Sequence, residues 1–245
     1  MTDTTIAFTP AEWAPQSAIW AGWPHLKDAW ADDYEGAKRE IAALIEALAP
    51  VVRVKLVIGD KASRAEAAEL VGDKAEMFDA PMGDIWLRDI GPVFVKYLNR
   101  LEGLGFEFNG WGGEYELEGD RETAGAIARL EGHPLKRLPF VLEGGAVEQD
   151  GEGTLITTRQ CVLNPNRNPD WSQEKAEDNL KLAFNAASSP PVMSSARRHQ
   201  ALMTRTPMCC VRSRTRCAPL SFRSRRSPRP GESRMRTANR CPRAT

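Results

Sequence analysis

Residues 84–93 read D-I-W-L-R-D-I-G-P-V, which places an aromatic side chain, a cation and two acids directly before an apolar run. The pair Gly91 and Pro92 predicts a turn, and we expect the chain to present the Asp89 carboxylate at the end of a strand. Open α/β sheets bind their ligands at that edge, so Asp89 is a candidate ligand-binding residue. A surface turn whose aspartate caps its own backbone is the simpler alternative.

A second stretch repeats this pattern. R-D-I-G-P-V at residues 88–93 and L-E-G-G-A-V at residues 142–147 each place a glycine two residues after an acid and a valine four residues after it. Asp89 and Glu143 therefore take equivalent positions, each at the start of a predicted hairpin. A second match supports the repeat: W-A-G-W at 20–23 and F-N-G-W at 108–111 each end a predicted strand with Gly-Trp before a helical stretch. The repeating unit is predicted to be strand, strand, helix, strand.

Such units, stacked as blades around an axis, would bring the two acids to a common centre. Two carboxylates at that centre would bind a cation through charge-assisted hydrogen bonds. Trp86 would supply an aromatic face for the same cation. Because each match is short and uses common residues, a chance likeness is the alternative to a repeat.

The rest of the first 184 residues alternates short strands with helices. Asp32 or Asp33 is predicted to cap the first helix, and Asp170 or Ser172 the last one, which ends at Phe184. Strands are predicted at 18–23, 52–58, 75–78, 93–98, 104–108, 135–142, 146–148 and 154–158, with a turn containing Gly103, and further helices at 62–71 and 121–131.

Residues 185–245 differ sharply in composition. Residues 1–184 hold 19 basic and 32 acidic residues, whereas residues 185–245 hold 14 Arg, no Lys and a single acid. A segment rich in Arg, Ser and Pro cannot bury a core, so we expect a disordered basic tail. Its four cysteines form no C-x-x-C pair, which makes a zinc site a weak interpretation. With no basic-then-apolar start and no long apolar run, we expect a cytoplasmic protein.

Five stretches, taken in order, resemble the agmatine deiminase family, which includes the bacterial peptidyl-arginine deiminase type. They are F-T-P-A-E-W-A-P-Q-S-A-I-W-A-G-W-P at 8–24, D-I-W-L-R-D-I-G-P at 84–92, F-N-G-W-G-G at 108–113, L-E-G-G at 142–145 and C-V-L-N-P-N-R-N-P at 161–169. The resemblance covers residues 8–184. It implies a pentein-type α/β propeller of strand, strand, helix, strand blades, of which this chain would contain about half.

The resemblance also implies a reaction and a site. The reaction is hydrolysis of agmatine to N-carbamoylputrescine and ammonia, a step of putrescine biosynthesis, and no metal or organic cofactor is implied. Asp89 is the implied catalytic and guanidinium-binding acid, Trp86 lines the pocket and Glu143 is a further substrate-site acid. A guanidinium is planar with five donors and suits a rim of carboxylates, and a cationic substrate suits the acidic body.

The sequence departs from the family at the catalytic thiol and the proton-shuttling histidine. Neither the H-x-D-G-H type motif nor the G-x-x-H-C type motif occurs; the histidines are His25, His133 and His199. Cys161 matches a different motif, and we interpret it as a small buried thiol. We therefore expect a truncated deiminase domain at 1–184, catalytically incomplete, followed by a tail at 185–245 that is read out of frame.

Three alternatives stay open. The parent enzyme could prefer peptidyl-arginine to agmatine. The Arg-rich tail could bind nucleic acid non-specifically, although it has one Phe and no other aromatic side chain for stacking on bases. The chain could also be a guanidine binder without catalysis, using Asp89, Glu143 and Trp86. The sequence does not predict an oligomeric state.

Overall fold

The structure, a computed structural model, describes residues 9–30, 33–97, 100–184 and 192–194. Its strands are β1 (Ile19–Gly22), β2 (Val54–Ile58), β3 (Glu76–Asp79), β4 (Val93–Lys96), β5 (Leu101–Glu107), β6 (Leu135–Val141), β7 (Val147–Gln149), β8 (Leu155–Thr158) and β9 (Val192–Ser194). Its helices are α1 (Tyr34–Leu48), α2 (Lys61–Val71), α3 (Leu87–Ile90), α4 (Gly110–Gly113), α5 (Asp120–Leu130), α6 (Arg159–Val162) and α7 (Gln173–Phe184). In the described ranges, none of these helices has the length and apolar character needed to cross a membrane.

The first sheet is parallel, with strand order β1-β2-β3 and helices α1 and α2 in the connections. All five residues of β2 are buried, as expected for a central parallel strand. Helix α1 begins after Asp33, whose carboxylate accepts the backbone N–H of Gly36 at 3.0 Å. Ile41 and Ile45 of this helix are buried with Trp23 in a cluster over the sheet. The predicted capping of the first helix is thereby confirmed at Asp33.

The second and third sheets share one plan. In each, an antiparallel hairpin is followed by a helix and by a third strand that runs parallel to the second strand of the hairpin. The hairpins are β4-β5 and β7-β8, the helices α5 and α7, and the third strands β6 and β9. The predicted strand, strand, helix, strand unit is therefore confirmed twice. The first sheet follows a different order, because each of its strands is separated from the next by a helix.

The mixed α/β class is confirmed. The described strands form three separate open sheets, so the closed propeller stays a prediction. Likewise, residues 185–191 and 195–245 lie outside the described residues, and the predictions of a disordered, out-of-frame tail and of truncation stay predictions.

Three local predictions are wrong. Asp89 lies in the one-turn helix α3 and not at a strand end, because the N–H groups of Asp89 and Ile90 both donate to the Trp86 carbonyl, at 2.9 and 3.1 Å. Pro92 then stops the helix, since it has no N–H to donate. Gly103 lies inside β5 opposite Phe94, and the turn falls earlier, where the Tyr97 N–H donates to the Arg100 carbonyl.

The third concerns the end of the ordered pattern. A disordered tail from residue 185 leaves no strand after Phe184, yet β9 pairs with β8 in the register Ile156 to Val192. The prediction used the average composition of residues 185–245, which conceals a short stretch that can form a strand. Val192 favours a strand, and β8 has an edge that is free to pair with it.

Helix α5 lies between the first sheet and the second. Ala126 and Ile127 of α5 belong to a buried cluster that also contains Val57 of β2, together with Ile90 and Phe108. The helix therefore packs on both the parallel sheet and the residues that flank the second hairpin.

An ion pair ties the far end of α5 to the first sheet. Lys55 of β2 donates to both oxygens of Glu131, each at 2.7 Å, and the indole N–H of Trp20 in β1 donates to Oε1 at 2.7 Å. Burial acts to raise the pKa of Glu131, but these hydrogen bonds outweigh it and the pKa lies below its ordinary value. The pair is mostly shielded from solvent, which fixes the position of α5 against β1 and β2.

Candidate functional site

The segment that leads from the first sheet to the second contains Trp86 and Asp89. It ends in α3, whose Ile90 is 3 % exposed and anchors the turn in the core. Asp89 precedes Ile90 directly, so the burial of Ile90 in the core fixes the backbone that carries the Asp89 side chain. The segment then continues through Gly91 into β4.

The Asp89 carboxylate accepts one hydrogen bond on each oxygen. The indole N–H of Trp111 donates to Oδ2 and the backbone N–H of Gly145 donates to Oδ1, both at 3.1 Å. Burial raises the pKa of Asp89, and the nearby charge of Glu143 raises it further, while the two hydrogen bonds and Arg88 act against the rise.

Trp111 reaches Asp89 from an unusual backbone. It has a φ of 55°, the left-handed region that a bulky side chain rarely adopts, and Gly110, Gly112 and Gly113 around it also have positive φ. Its ring packs edge-on against Phe108, with 4.9 Å between centroids. A strained backbone of this kind persists only where surrounding contacts fix the side chain. For Trp111 these contacts are the hydrogen bond to Asp89 and the packing on Phe108. The sequence analysis did not predict Trp111 as a site residue. The three glycines around it in F-N-G-W-G-G were the signal for an unusual backbone at this position.

Glu143 stands at the corresponding point before the third sheet. It is 4 % exposed, and its Oε1 accepts the Nε–H of Arg167 at 3.0 Å. Among the described residues, the hydrogen bonds to this carboxylate use Oε1 only. Glu143 is thus a buried acid with a cation already beside one oxygen, whereas Asp89 receives only neutral donors.

The two glycines after Glu143 allow its loop to approach α3. A Cβ at Gly144 would collide with the carbonyl of Arg88, and a Cβ at Gly145 would collide with the Asp89 carboxylate. The backbone of L-E-G-G therefore packs directly on the W-L-R-D segment. Asp89 and Glu143, which the repeat predicted to be equivalent, lie on neighbouring loops.

The loop after α6 holds the same place from a third side. Asn168 donates to the carbonyls of Val141 and Val162, and its Oδ1 accepts the Val141 N–H at 3.1 Å. The side-chain amide of Asn109 donates to the carbonyl of Asn166 at 2.8 Å. This loop therefore fixes the end of β6 just before Glu143 and joins it to the loop that carries Trp111.

Trp86 and Arg88 point to different partners. Trp86 is half-buried. Burial raises the pKa of the neighbouring Asp84, while the Ile85 N–H, which donates to Asp84 Oδ1 at 2.7 Å, acts against the rise. No hydrogen bond in the described part of the chain joins the Trp86 indole to either acid of the site. Arg88 forms an ion pair with Glu12, which brings the first of the five stretches to the site, and approaches Glu148 at 3.9 Å.

Comparison with known proteins identifies the family to which the chain is similar. Residues 8–190 match the family model of the Porphyromonas-type peptidyl-arginine deiminases, which is well over half of the chain. The chain belongs to this family. The deiminases of this family are guanidine-modifying hydrolases, and the match extends past residue 184, where our predicted resemblance ended.

Individual relatives agree. The agmatine deiminase of Stutzerimonas stutzeri is 39 % identical over 181 residues, covering 71 % of this chain and 49 % of that protein. The agmatine deiminase structure of Enterococcus faecalis aligns with a TM-score of 0.71 at 27 % identity, covering 76 % and 54 %. The substrate-bound agmatine deiminase of C. jejuni aligns with a TM-score of 0.69 at 26 % identity, covering 76 % and 56 %. The chain spans about half the length of the curated relatives it matches.

No hydrogen bond among the described residues joins Cys161, His25 or His133 to Asp89 or Glu143. Cys161 is half-buried and packs against the core of the second and third sheets. His133 packs edge-on against Phe94, at 5.8 Å between centroids. His25 is half-buried, and its Nδ1 is buried. His199 lies outside the described residues.

Metal binding is also constrained. Within residues 9–30, 33–97, 100–184 and 192–194, no group of three or more histidine, cysteine, aspartate or glutamate side chains has a geometry suited to a metal ion.

Proposed function

We propose that residues 8–190 are the substrate-acid part of a guanidine hydrolase of the agmatine deiminase type, with Asp89 and Glu143 binding the guanidinium. The observation that carries the proposal is the contact between Asp89 and the loop of Glu143, where the Gly145 N–H donates to Oδ1 of Asp89 at 3.1 Å. Burial and the charge of Glu143 also raise the pKa of Asp89. A bound cation would remove that electrostatic cost. Perturbed carboxyl groups in a fold of this family are candidates for a functional site for this reason.

The unused acceptor capacity matches a guanidinium. An ionised carboxylate oxygen has two lone-pair sites, so each oxygen of Asp89 has one left after Trp111 and Gly145 have donated. The Oε2 of Glu143 is a third acceptor. A planar group with five N–H donors can fill such acceptors in pairs, which a compact ammonium cannot do.

The surrounding charge favours the same ligand. The first 184 residues carry 13 more acidic than basic side chains. A net negative body increases the local concentration of a cationic substrate and its rate of association. We assign Trp86 to the wall of the pocket, where its half-buried ring would pack on the aliphatic part of the substrate or on the guanidinium face.

The proposed reaction is replacement of one guanidinium nitrogen by oxygen from water, with release of ammonia. Asp89 would orient the guanidinium and share its proton, while the attacking thiolate and the histidine of the family's reaction are not matched by motifs in this sequence. We therefore propose that this chain binds agmatine and does not turn it over. In putrescine biosynthesis the product of the full reaction would be N-carbamoylputrescine.

Peptidyl-arginine is the second candidate substrate. The observation that favours it is the family model itself, which describes peptidyl-arginine deiminases. The guanidinium site is the same for both substrates, so the choice depends on what lies beyond it. Comparing agmatine with a short arginine peptide decides between them.

The test is isothermal calorimetry on the purified chain, with agmatine, an arginine peptide and putrescine as ligands. Putrescine has the same four-carbon chain as agmatine without the guanidinium, so it is the matched control. We expect agmatine to bind, putrescine to bind at least about tenfold more weakly, and Asp89→Asn to abolish the difference. Equal binding of agmatine and putrescine, or an unchanged affinity in Asp89→Asn, would overturn the proposal.

A second assay addresses turnover. We expect no ammonia release from agmatine by this chain, and release by a protein translated after the reading frame beyond codon 184 is restored. If no frame of the locus encodes the H-x-D-G-H and H-C motifs, the out-of-frame prediction is wrong.

A further inference from the structure

The first turn of α5 contacts the backbone that leads into Trp86 and Asp89. Oδ1 of Asp120 accepts the N–H of Gly83 at 2.8 Å and the N–H of Asp84 at 3.1 Å. Asp120 is 1 % exposed, so these are charge-assisted hydrogen bonds in a place that water does not reach. Asp120 does not cap its own helix; the residue before α5 is Gly119, which makes no side-chain cap.

Two other contacts fix the same backbone. The hydroxyl of Thr123 donates to the carbonyl of Pro81 at 2.9 Å. Gly119 has a φ of 99°, and a Cβ there would lie 2.6 Å from the Met82 nitrogen, so the start of α5 packs directly on this segment. Four successive residues, 81–84, are therefore held by one end of one helix.

The second oxygen of Asp120 distinguishes this residue from a simple structural acid. Oδ2 is buried and has no hydrogen-bond partner among the described residues. Burial raises the pKa of Asp120, and the charge of Asp84 adds to the rise, while the two amide hydrogen bonds and the charge of His25 act against it. A buried acid with one unpaired oxygen lowers the stability of the folded protein. We interpret this loss as the result of holding the backbone at Gly83 and Asp84, which leads into Trp86 and Asp89.

The same stretch of chain also holds the other end of the substrate segment. Trp111, nine residues before Asp120, donates to Asp89, while Asp120 holds Gly83 and Asp84. The segment that contains Trp86 is thus fixed at both ends by residues 111–120. A shift at either end changes where the substrate acid points.

We propose that Asp120 is a positioning residue, whose carboxylate holds the Gly83 and Asp84 amides and thereby places the Trp86–Asp89 segment for substrate. This inference rests on the proposed function only for its substrate readout. It extends that function to a residue that touches no part of the substrate.

The experiment compares Asp120→Ala, Asp120→Asn and Asp60→Ala in the full chain. Asp60 is the matched control, because its carboxylate also accepts two backbone N–H groups, at 2.8 and 3.0 Å, but those of its own helix α2. Two quantities are measured. Hydrogen exchange of the Gly83 and Asp84 amides and the Trp111 indole N–H resonance need no ligand, and agmatine affinity by calorimetry reports on the site.

We expect Asp120→Ala to remove the exchange protection of both amides, to shift the Trp111 indole resonance and to weaken agmatine binding about tenfold. Asp120→Asn keeps an acceptor oxygen, so it should restore protection and bring the affinity back to within about threefold. Asp60→Ala should change neither the indole resonance nor the affinity.

Two results would overturn the inference. One is an unchanged indole resonance in an Asp120→Ala variant that has lost amide protection. The other is a loss of agmatine affinity in Asp60→Ala as large as in Asp120→Ala, which would indicate a general effect of stability. If the wild-type chain does not bind agmatine, the proposed function fails, and the amide and indole measurements alone decide whether Asp120 positions the segment.

Discussion

The stretches at 84–93 and 142–147 share a sequence pattern, yet their acids, Asp89 and Glu143, have different hydrogen-bond partners in the structure. Asp89 sits in a one-turn helix and accepts N–H groups from an indole and a backbone amide. Glu143 precedes a 3₁₀ turn and is paired with the guanidinium of Arg167. The two acids therefore differ in their hydrogen-bond donors: a guanidinium donates to Glu143, whereas only neutral N–H groups donate to Asp89. We infer that Asp89 is the more open of the two to a cationic ligand.

The largest effect is expected from removing the cation beside Glu143. Arg167→Ala leaves a nearly buried carboxylate unpaired, so the free energy of unfolding should fall by about 3 kcal/mol. Urea denaturation measures this. The control is Arg64→Ala, which breaks the more exposed pair with Asp79 and should cost much less. Equal losses in the two variants would show that Glu143 is not held by Arg167 in the way described.

The next effect compares the acids as ligands. Asp89→Asn should weaken agmatine binding by about 2 kcal/mol, roughly thirtyfold, because an ionised acceptor of charge-assisted hydrogen bonds is lost. Glu143→Gln should weaken it less, since Arg167 already offsets part of the charge of Glu143. Calorimetry on the two variants gives the order, and the reverse order would contradict the distinction between an open and a paired acid.

A smaller effect is expected at Trp111. Trp111→Phe keeps a ring against Phe108 but removes the N–H that orients Asp89, so agmatine binding should weaken by about 1 kcal/mol. Trp13→Phe is the control, because Trp13 is 72 % exposed and should leave the affinity unchanged. If both variants bind agmatine as the wild type does, the indole does not position the acid.

The smallest effect is on the pH dependence of stability. Burial first, and then the charge of Glu143, raise the pKa of Asp89 above its ordinary value of 3.8 in the folded protein. Its contribution to stability is therefore full below 3.8 and is lost as the pH rises through the folded pKa. Asp89→Asn does not titrate, so its stability relative to the wild type should increase as the pH rises above 3.8.

Asp60→Asn should give the opposite slope. Although burial acts to raise the pKa of Asp60, hydrogen bonds from Ser63 and Ala62 outweigh it and lower the pKa. The stability that Asp60 contributes is present above its ordinary value and is lost as the pH falls. Denaturation curves at several pH values measure both variants, and slopes of the same sign would contradict the assignment.

Much of the fold could be predicted from periodicity. Val54–Ile58 is a strand because its apolar run is bounded by turn residues, and Asp33 caps α1 because its carboxylate accepts a free helical N–H. Local patterns failed where a neighbour in space decided the outcome. The turn before Arg100, the short helix around Asp89 and strand β9 all depend on hydrogen bonds to partners that the letters do not reveal.

The site was predictable only in its acids. The repeat predicted that Asp89 and Glu143 lie close together, and the structure places their segments in contact; that they bind a substrate stays a prediction. Trp111, Arg167 and Asp120 were missed as site residues, because each acts through a contact with a residue 22 or more positions away in sequence. Such long-range pairs have no signature within a single window of sequence.

Helix α5 works as a rigid rod between two attachments. At its first residue, Asp120 accepts hydrogen bonds from the backbone of residues 83 and 84. Glu131, which follows the last residue of the helix, accepts hydrogen bonds from side chains of β1 and β2. Eleven helical residues span about 16 Å and do not compress, since each turn is held by its own hydrogen bonds. Helix α5 therefore sets the distance between the parallel sheet and the backbone that precedes Asp89.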